Sequence, residues 1–136
     1  MTQRRAGLTT VRLAGAITPG APIDTSVTGT SVAVPSEALD ADDVVFRVVG
    51  TGLRAMEVES GDLLVVEPRP EGNAASGELV VALLRGRAFV GRWWGKRGRR
   101  ALLDDSLLPV IEERDIQVLG AITVIVREGR GSSRKD

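Results

Sequence analysis

Five short runs rich in β-branched residues, at 44–49, 63–66, 79–84, 88–94 and 116–126, are separated from one another by Gly, Pro or Asp, which leaves almost no stretch long enough for a helix. Arg85-Gly86 sits between two of these runs and reads as a tight hairpin turn. Lys96-Arg97-Gly98 marks a second reversal before 101–103. Only 36–41 and 53–58 offer helical turns, and each is too short to form an independent helix. The sixteen glycines and six prolines fall largely in these breaks. The pattern predicts a mainly β fold of antiparallel strands and hairpins with little helix.

A chain of 136 residues is long enough to bury one core. It has no cysteine and no histidine, which excludes disulfides, thiol nucleophiles, zinc clusters and histidine-based triads; no metal and no cofactor are expected. No apolar run reaches the length of a membrane span, and MTQRRAGLTTVRLAGA is too polar for a secretory h-region. The expectation is a cytoplasmic protein without membrane association. Its parts read as a flexible arm at 1–10, a single domain at 11–128, and a disordered polar tail, GRGSSRKD, at 129–136. A helix-turn-helix does not fit before Val11.

The zero net charge hides an uneven distribution. Arg85, Arg87, Arg92, Lys96, Arg97, Arg99 and Arg100 follow one another without an intervening acid, while acids gather at 40–43, 57–62 and 104–105. Within the basic run stands the pair Trp93-Trp94. Neighbouring strand residues face opposite ways, so one tryptophan is expected in the core and the other half exposed. The exposed one would serve as an interface anchor, as a stacking platform for nucleic acid beside Arg92, Lys96, Arg97, Arg99 and Arg100, or simply as a cover for the hairpin.

Four segments then carry a family resemblance. Residues 46–66, FRVVGTGLRAMEVESGDLLVV, resemble the core of the LexA and UmuD family of self-cleaving serine peptidases, in which a Gly-x-Ser-Met turn precedes an acidic spacer and a Gly-Asp-Leu-Leu strand start. Residues 77–92, GELVVALLRGRAFVGR, are similar to that family's strand, hairpin and lysine-bearing strand. Residues 105–111, DSLLPVI, resemble its Asn-Ser-x-x-x-Pro-Ile loop, and 118–126, VLGAITVIV, its closing strand. All four occur in the family's order, between about 11 and 127.

By that resemblance the nucleophile position is Gly52 and the general-base position is Gly91. A Ser-Lys dyad needs a hydroxyl to attack and a desolvated, neutral lysine to accept its proton; glycine supplies neither. The family's scissile bond corresponds to Pro19-Gly20, where proline fixes φ on the acyl side. Ser60 and Lys96 are the candidates for relocated catalytic groups, and both read more simply as turn residues. Deleting a buried lysine stem leaves a void that costs about 24 cal/mol per cubic ångström unless neighbours move in. Leu53, Phe89 or a tryptophan is expected to fill it, or else the 17–23 segment is expected to lie across the cleft.

The resemblance implies an inactive homologue that works as an interaction protein in the DNA-damage response. It would be a homodimer, with a translesion polymerase or another repair protein as partner. An alternative is a transcription-regulatory domain that pairs with a LexA-type repressor, and a third is a peptidase with relocated groups. The family pairs through its C-terminal strand, which points to Val118, Ile122, Val124 and Val126 as interface residues.

Overall fold

The computed structural model describes residues 4–5, 7–53, 56–127 and 131–134. Among them the chain forms β1 (Arg4–Arg5), β2 (Leu8–Arg12), β3 (Gly15–Ile17), β4 (Ser31–Pro35), β5 (Val44–Val48), β6 (Leu63–Pro68), β7 (Leu79–Leu84), β8 (Arg87–Lys96), β9 (Arg99–Leu103), β10 (Pro109–Glu112), β11 (Gln117–Arg127) and β12 (Gly131–Arg134), with a 3-10 turn at Ser36–Ala38. The fold is mainly β, as the punctuated runs predict. Both expected hairpins form with two positive-φ residues each, Arg85 (51°) with Gly86 (78°) and Arg97 (52°) with Gly98 (79°). That is the backbone of a tight turn whose twist matches its strands.

The large sheet runs β10-β9-β8-β7-β11-β6-β5-β3, with β12 also on β11; a small sheet of β1, β2 and β4 lies apart from it. All pairings are antiparallel except β3 with β5. The curled large sheet is buried on both faces. Val32 and Val34 of the small sheet cover Val45, Leu63, Val65, Val124 and Val126. On the other face, Phe46, Leu64, Val66, Val81, Val90 and Ile122 pack with Ile17, Leu53 and Met56. A third cluster joins Val80, Trp93, Leu102, Ile116 and Val118. Two register shifts in β11, between Val118 and Gly120 and between Ile122 and Val124, bend the sheet so that these clusters close. Gly120 is required there, because a Cβ would lie 2.4 Å from Val66 Cγ1 and 2.6 Å from the Glu67 carbonyl oxygen.

Three readings are corrected. Residues 8–10, expected in the flexible arm, belong to β2, which pairs with β4 throughout; Thr9 is buried and its hydroxyl meets that of Ser36 at 2.7 Å. Arg4–Arg5 of the expected arm also pair, as β1 with β2, and residues 131–134, expected in the tail, pair with β11 as β12; arm residues 1–3 and 6 and tail residues 129–130 and 135–136 lie outside those described. Val118, Ile122, Val124 and Val126 are no surface strip. The strand that carries them is central, bonded to β6 and β7, and all four side chains are buried within their own chain.

Candidate functional site

The 17–23 segment, one of the groups expected to fill the cleft, runs past Gly52 to Ala88 of β8. Val49 N–H, just past β5, donates to the Ile17 carbonyl at 2.9 Å, and a turn follows in which Ala21 N–H donates to the Thr18 carbonyl at 3.0 Å. The chain then reaches β8: Gly20 N–H donates to the Ala88 carbonyl and Ala88 N–H to the Ala21 carbonyl, each at 2.8 Å. The Arg87 guanidinium adds a bond to the Gly20 carbonyl at 3.1 Å. Gly20 takes φ = 82°, a left-handed conformation that glycine adopts without a Cβ penalty. At the far end, Ala16 and Asp24 exchange two backbone bonds. Ile17 is fully buried and anchors the strap in the core.

This strap brings Pro19-Gly20 onto Gly52. A Cβ at Gly52 would lie 3.5 Å from Pro19 Cγ and 3.7 Å from Pro19 Cβ, ordinary van der Waals contact, and among the described residues no other beyond its chain neighbours lies within 4 Å. Gly50, with φ = 99°, faces the Thr18 methyl at 3.9 Å. The turn after Gly52 is closed by Met56 N–H and Val58 N–H on the Leu53 carbonyl, and Leu53 itself is buried.

Gly91 has different surroundings. It pairs with Val80 of β7 and shares that residue's face, the face of Trp93 and Leu102. A Cβ there would stand 2.9 Å from Leu102 Cβ, 3.1 Å from the Leu103 carbonyl oxygen and 3.5 Å from the Leu103 nitrogen. The space a side chain would need is taken by β9. The filling groups are therefore Leu102 and Leu103, rather than Leu53, Phe89 or a tryptophan. Phe89 contributes differently, lying 3.9 Å from where a Gly20 Cβ would be.

The relocated candidates occupy structural places. Ser60 Oγ accepts the Gly50 N–H at 3.1 Å, and Gly61 N–H donates to the Val48 carbonyl at 2.8 Å, so both close the loop between β5 and β6. Lys96 ends β8 at an exposed hairpin, five residues or roughly 17 Å along the strand from Gly91.

One buried charge was not anticipated. Asp62, 2% exposed, accepts two bonds from Arg127, Nε to Oδ1 and Nη2 to Oδ2, both at 2.9 Å, and a third from Glu59 N–H at 2.8 Å. Arg127 also donates to the Glu57 carbonyl at 3.1 Å. The bond to Asp62, more than the nearby acids, raises the Arg127 pKa above its ordinary value. The aspartate of the Gly-Asp-Leu-Leu motif thus ties the loop of Gly52 and Ser60 to the end of β11. Sequence gives no signal for a pair this far apart, although an aspartate set directly before a buried run invites the question of its partner.

Trp93 is buried and Trp94 half-buried, as strand alternation predicts. The guanidinium of Arg99 sits 5.9 Å from the centroid of the Trp94 ring, so the chain's own cation covers a face that a nucleobase would stack on. Arg99 also bonds Glu112, Arg92 bonds Asp105 and the Gly77 carbonyl, and Arg100 bonds the Ile116 carbonyl. These three cations tie strands and loops of their own sheet together, while Lys96 and Arg97 stand exposed at the hairpin tip.

Among the described residues no group of His, Cys, Asp and Glu has a metal-binding arrangement, and no helix is long and apolar enough to cross a membrane. Comparison with protein families matches the chain to a model described as Peptidase S24-like, over residues 12–123. No curated protein matches the chain.

Proposed function

Since the chain belongs to the Peptidase S24-like family, we propose that it is a non-catalytic member, working as an interaction protein in a DNA-damage response. The observation that carries this reading is at Gly91: no amine stands where the resemblance places the general base, and a Cβ there would already press on Leu102 and the Leu103 backbone. Gly52 lacks the hydroxyl, and the bond presented to it is Pro19-Gly20. Ser60 and Lys96 do not replace the pair, because one caps a loop and the other ends a hairpin. The protein acts as a cytoplasmic homodimer whose partner is a translesion polymerase or another repair protein.

Two experiments test this. Purified protein held at alkaline pH, where a neutral lysine is most abundant, stays at full-length mass; cleavage near Pro19 that disappears with Ser60→Ala overturns the non-catalytic reading. Affinity capture from the protein's own cells after DNA damage recovers a polymerase or repair protein. Recovery of a LexA-type repressor replaces this role with the transcription-regulatory alternative.

A further inference from the structure

The pairing along β11 is interrupted on one side. One edge of the strand is bonded to β6. The other pairs with β7 from Gln117 to Ala121 and with β12 from Val124 to Arg127, so among the described residues no strand stands opposite Ile122 and Thr123. The register shift between Ile122 and Val124 falls at the same place. A cavity of about 350 Å³ opens at this break, over a buried apolar floor of Leu79, Ala121, Ile122 and Val124.

The walls of the cavity are charged, and their charges do not balance. Glu37 and Asp40 come from the 3-10 turn and its exit, Glu67 from the end of β6, and Glu78 from the lead into β7. Among the described residues that line the cavity Arg69 is the one cation, and Glu78 takes up its guanidinium, with Glu67 3.3 Å from its Nε. No cation among the described residues is paired with Glu37 or Asp40. The excess is felt next door: burial, and then the charges of Asp40, Glu67 and Asp42, hold the Asp43 carboxyl above its ordinary value. Exposed Asp42 carries the acidic wall on past the cavity.

Floor and walls together select the occupant. These acids have no metal-binding arrangement among the described residues, and an ion makes no use of an apolar floor. A neutral side chain would shield the carboxylates from water without pairing them. Lysine and arginine match both parts, since their methylene stems bury on apolar surface while the charged head stays among acids. A lone amine would leave the acids beyond the cavity unpaired, whereas a run of basic residues meets them as well. We infer that the cavity receives a lysine or arginine side chain from a basic segment of a partner protein, whose further cations lie along residues 40–43. The inference rests on the interaction reading above and gives it a surface.

The probe is a fluorescent peptide, acetyl-Gly-Arg-Lys-Gly-Arg-Lys-Gly-amide, added to the full chain at low salt, with anisotropy and the methyl resonances of Ile122 and Val124 as readouts. It should bind and shift both methyl signals, while a peptide with Glu in place of each Arg and Lys should not. Glu37→Gln/Asp40→Asn, at two exposed positions, should weaken binding about tenfold with the thermal midpoint within a few degrees of wild type. Glu112→Gln/Glu113→Gln removes the same charge from the neighbourhood of β10 and should leave the affinity within about twofold. Equal weakening by the two pairs, or binding that leaves both methyl signals in place, means attraction to charge alone and overturns the site. β12 sets the backbone of Arg134 opposite Val124, so binding seen only after Arg134→Gln/Lys135→Gln assigns the cavity to the chain's own end and overturns the partner. A peptide that binds no variant overturns the site, and recovery of a repair protein in the capture experiment then keeps the interaction role on another surface.

Discussion

Gly52 and Gly91 stand at the two positions where the family resemblance places a reactive side chain, yet the structure treats them in opposite ways. At Gly52 the nearest described neighbour is a proline of the strap at contact distance, and the residue is not among the positive-φ glycines, so neither the backbone nor the packing of the described residues demands glycine there. At Gly91 a Cβ would press on Leu102 Cβ and the Leu103 backbone, so the packing of β8 on β9 leaves little room for a side chain there. Among the described residues, Gly52 has room for a side chain. Gly91 is closed in by the packing of β8 on β9.

Restoring the base is therefore the largest test of this contrast. Gly91→Lys should destabilise the protein by about 3 kcal/mol, the upper range for overpacking a core, because the obstructing atoms include strand backbone that cannot swing aside. Urea denaturation measures it. A lysine accepted without loss of midpoint would mean that β9 yields readily and that the two glycines are equivalent after all.

The strap is tested next, since the contrast depends on its being a fixed part of the fold. Ile17→Ala removes its buried anchor and should cost about 3 kcal/mol, in the middle of the range for such truncations. Hydrogen exchange should then accelerate at Gly20 and Ala88, whose N–H groups bond across the strap. Unchanged protection at those two amides would show a strap held by its backbone bonds alone.

A site remote from both glycines provides a scale for these effects. Arg69 holds Glu78 through bonds of 2.9 and 2.7 Å, and Ala75 N–H adds a third at 2.7 Å. The arginine bonds, ahead of the Ala75 bond, keep the Glu78 carboxyl below its ordinary value of 4.5. A depressed carboxylate stabilises the fold above its unfolded pKa, and that contribution disappears as pH falls through the folded pKa. Arg69→Met should thus cost about 1 kcal/mol at pH 7 and progressively less below the ordinary value. Asp43, which burial pushes the other way, is common to both proteins and cancels in the difference. A cost independent of pH would assign the effect to lost packing instead.

What the sequence made legible follows from the range of the forces involved. β5 to β8, β11 and both hairpins depend on two-residue periodicity and turn chemistry, and those are local. β2 and β4 were missed because LTTVR and SVAVP are short, rich in Thr, Ser and Ala, and become strands only by pairing with each other. The approach of Pro19 to Gly52 was readable through resemblance, whereas the filling of Gly91 by Leu102 and Leu103 depends on an interstrand distance that no motif encodes. β11 misled for a related reason. A strongly apolar strand looks the same whether it faces a second molecule or, as here, is buried within its own chain, with the small sheet covering Val124 and Val126.

The smallest expected effect separates the two glycines most cleanly. Gly52→Ser should change stability by less than about 0.5 kcal/mol, since among the described residues its Cβ meets only Pro19, at an ordinary distance, and an added side chain restricts the unfolded chain as well. The variant should nonetheless stay intact at every pH, because a hydroxyl without a base beside it does not become a nucleophile, and because the bond it faces has proline on its acyl side. Adding Gly91→Lys to Gly52→Ser should reproduce the instability of the lysine variant without generating a cleaved product. If the double variant instead folds with wild-type stability and releases a fragment ending at Pro19, then β9 does not close the base position, and the loss at Gly91 is as reversible as the loss at Gly52.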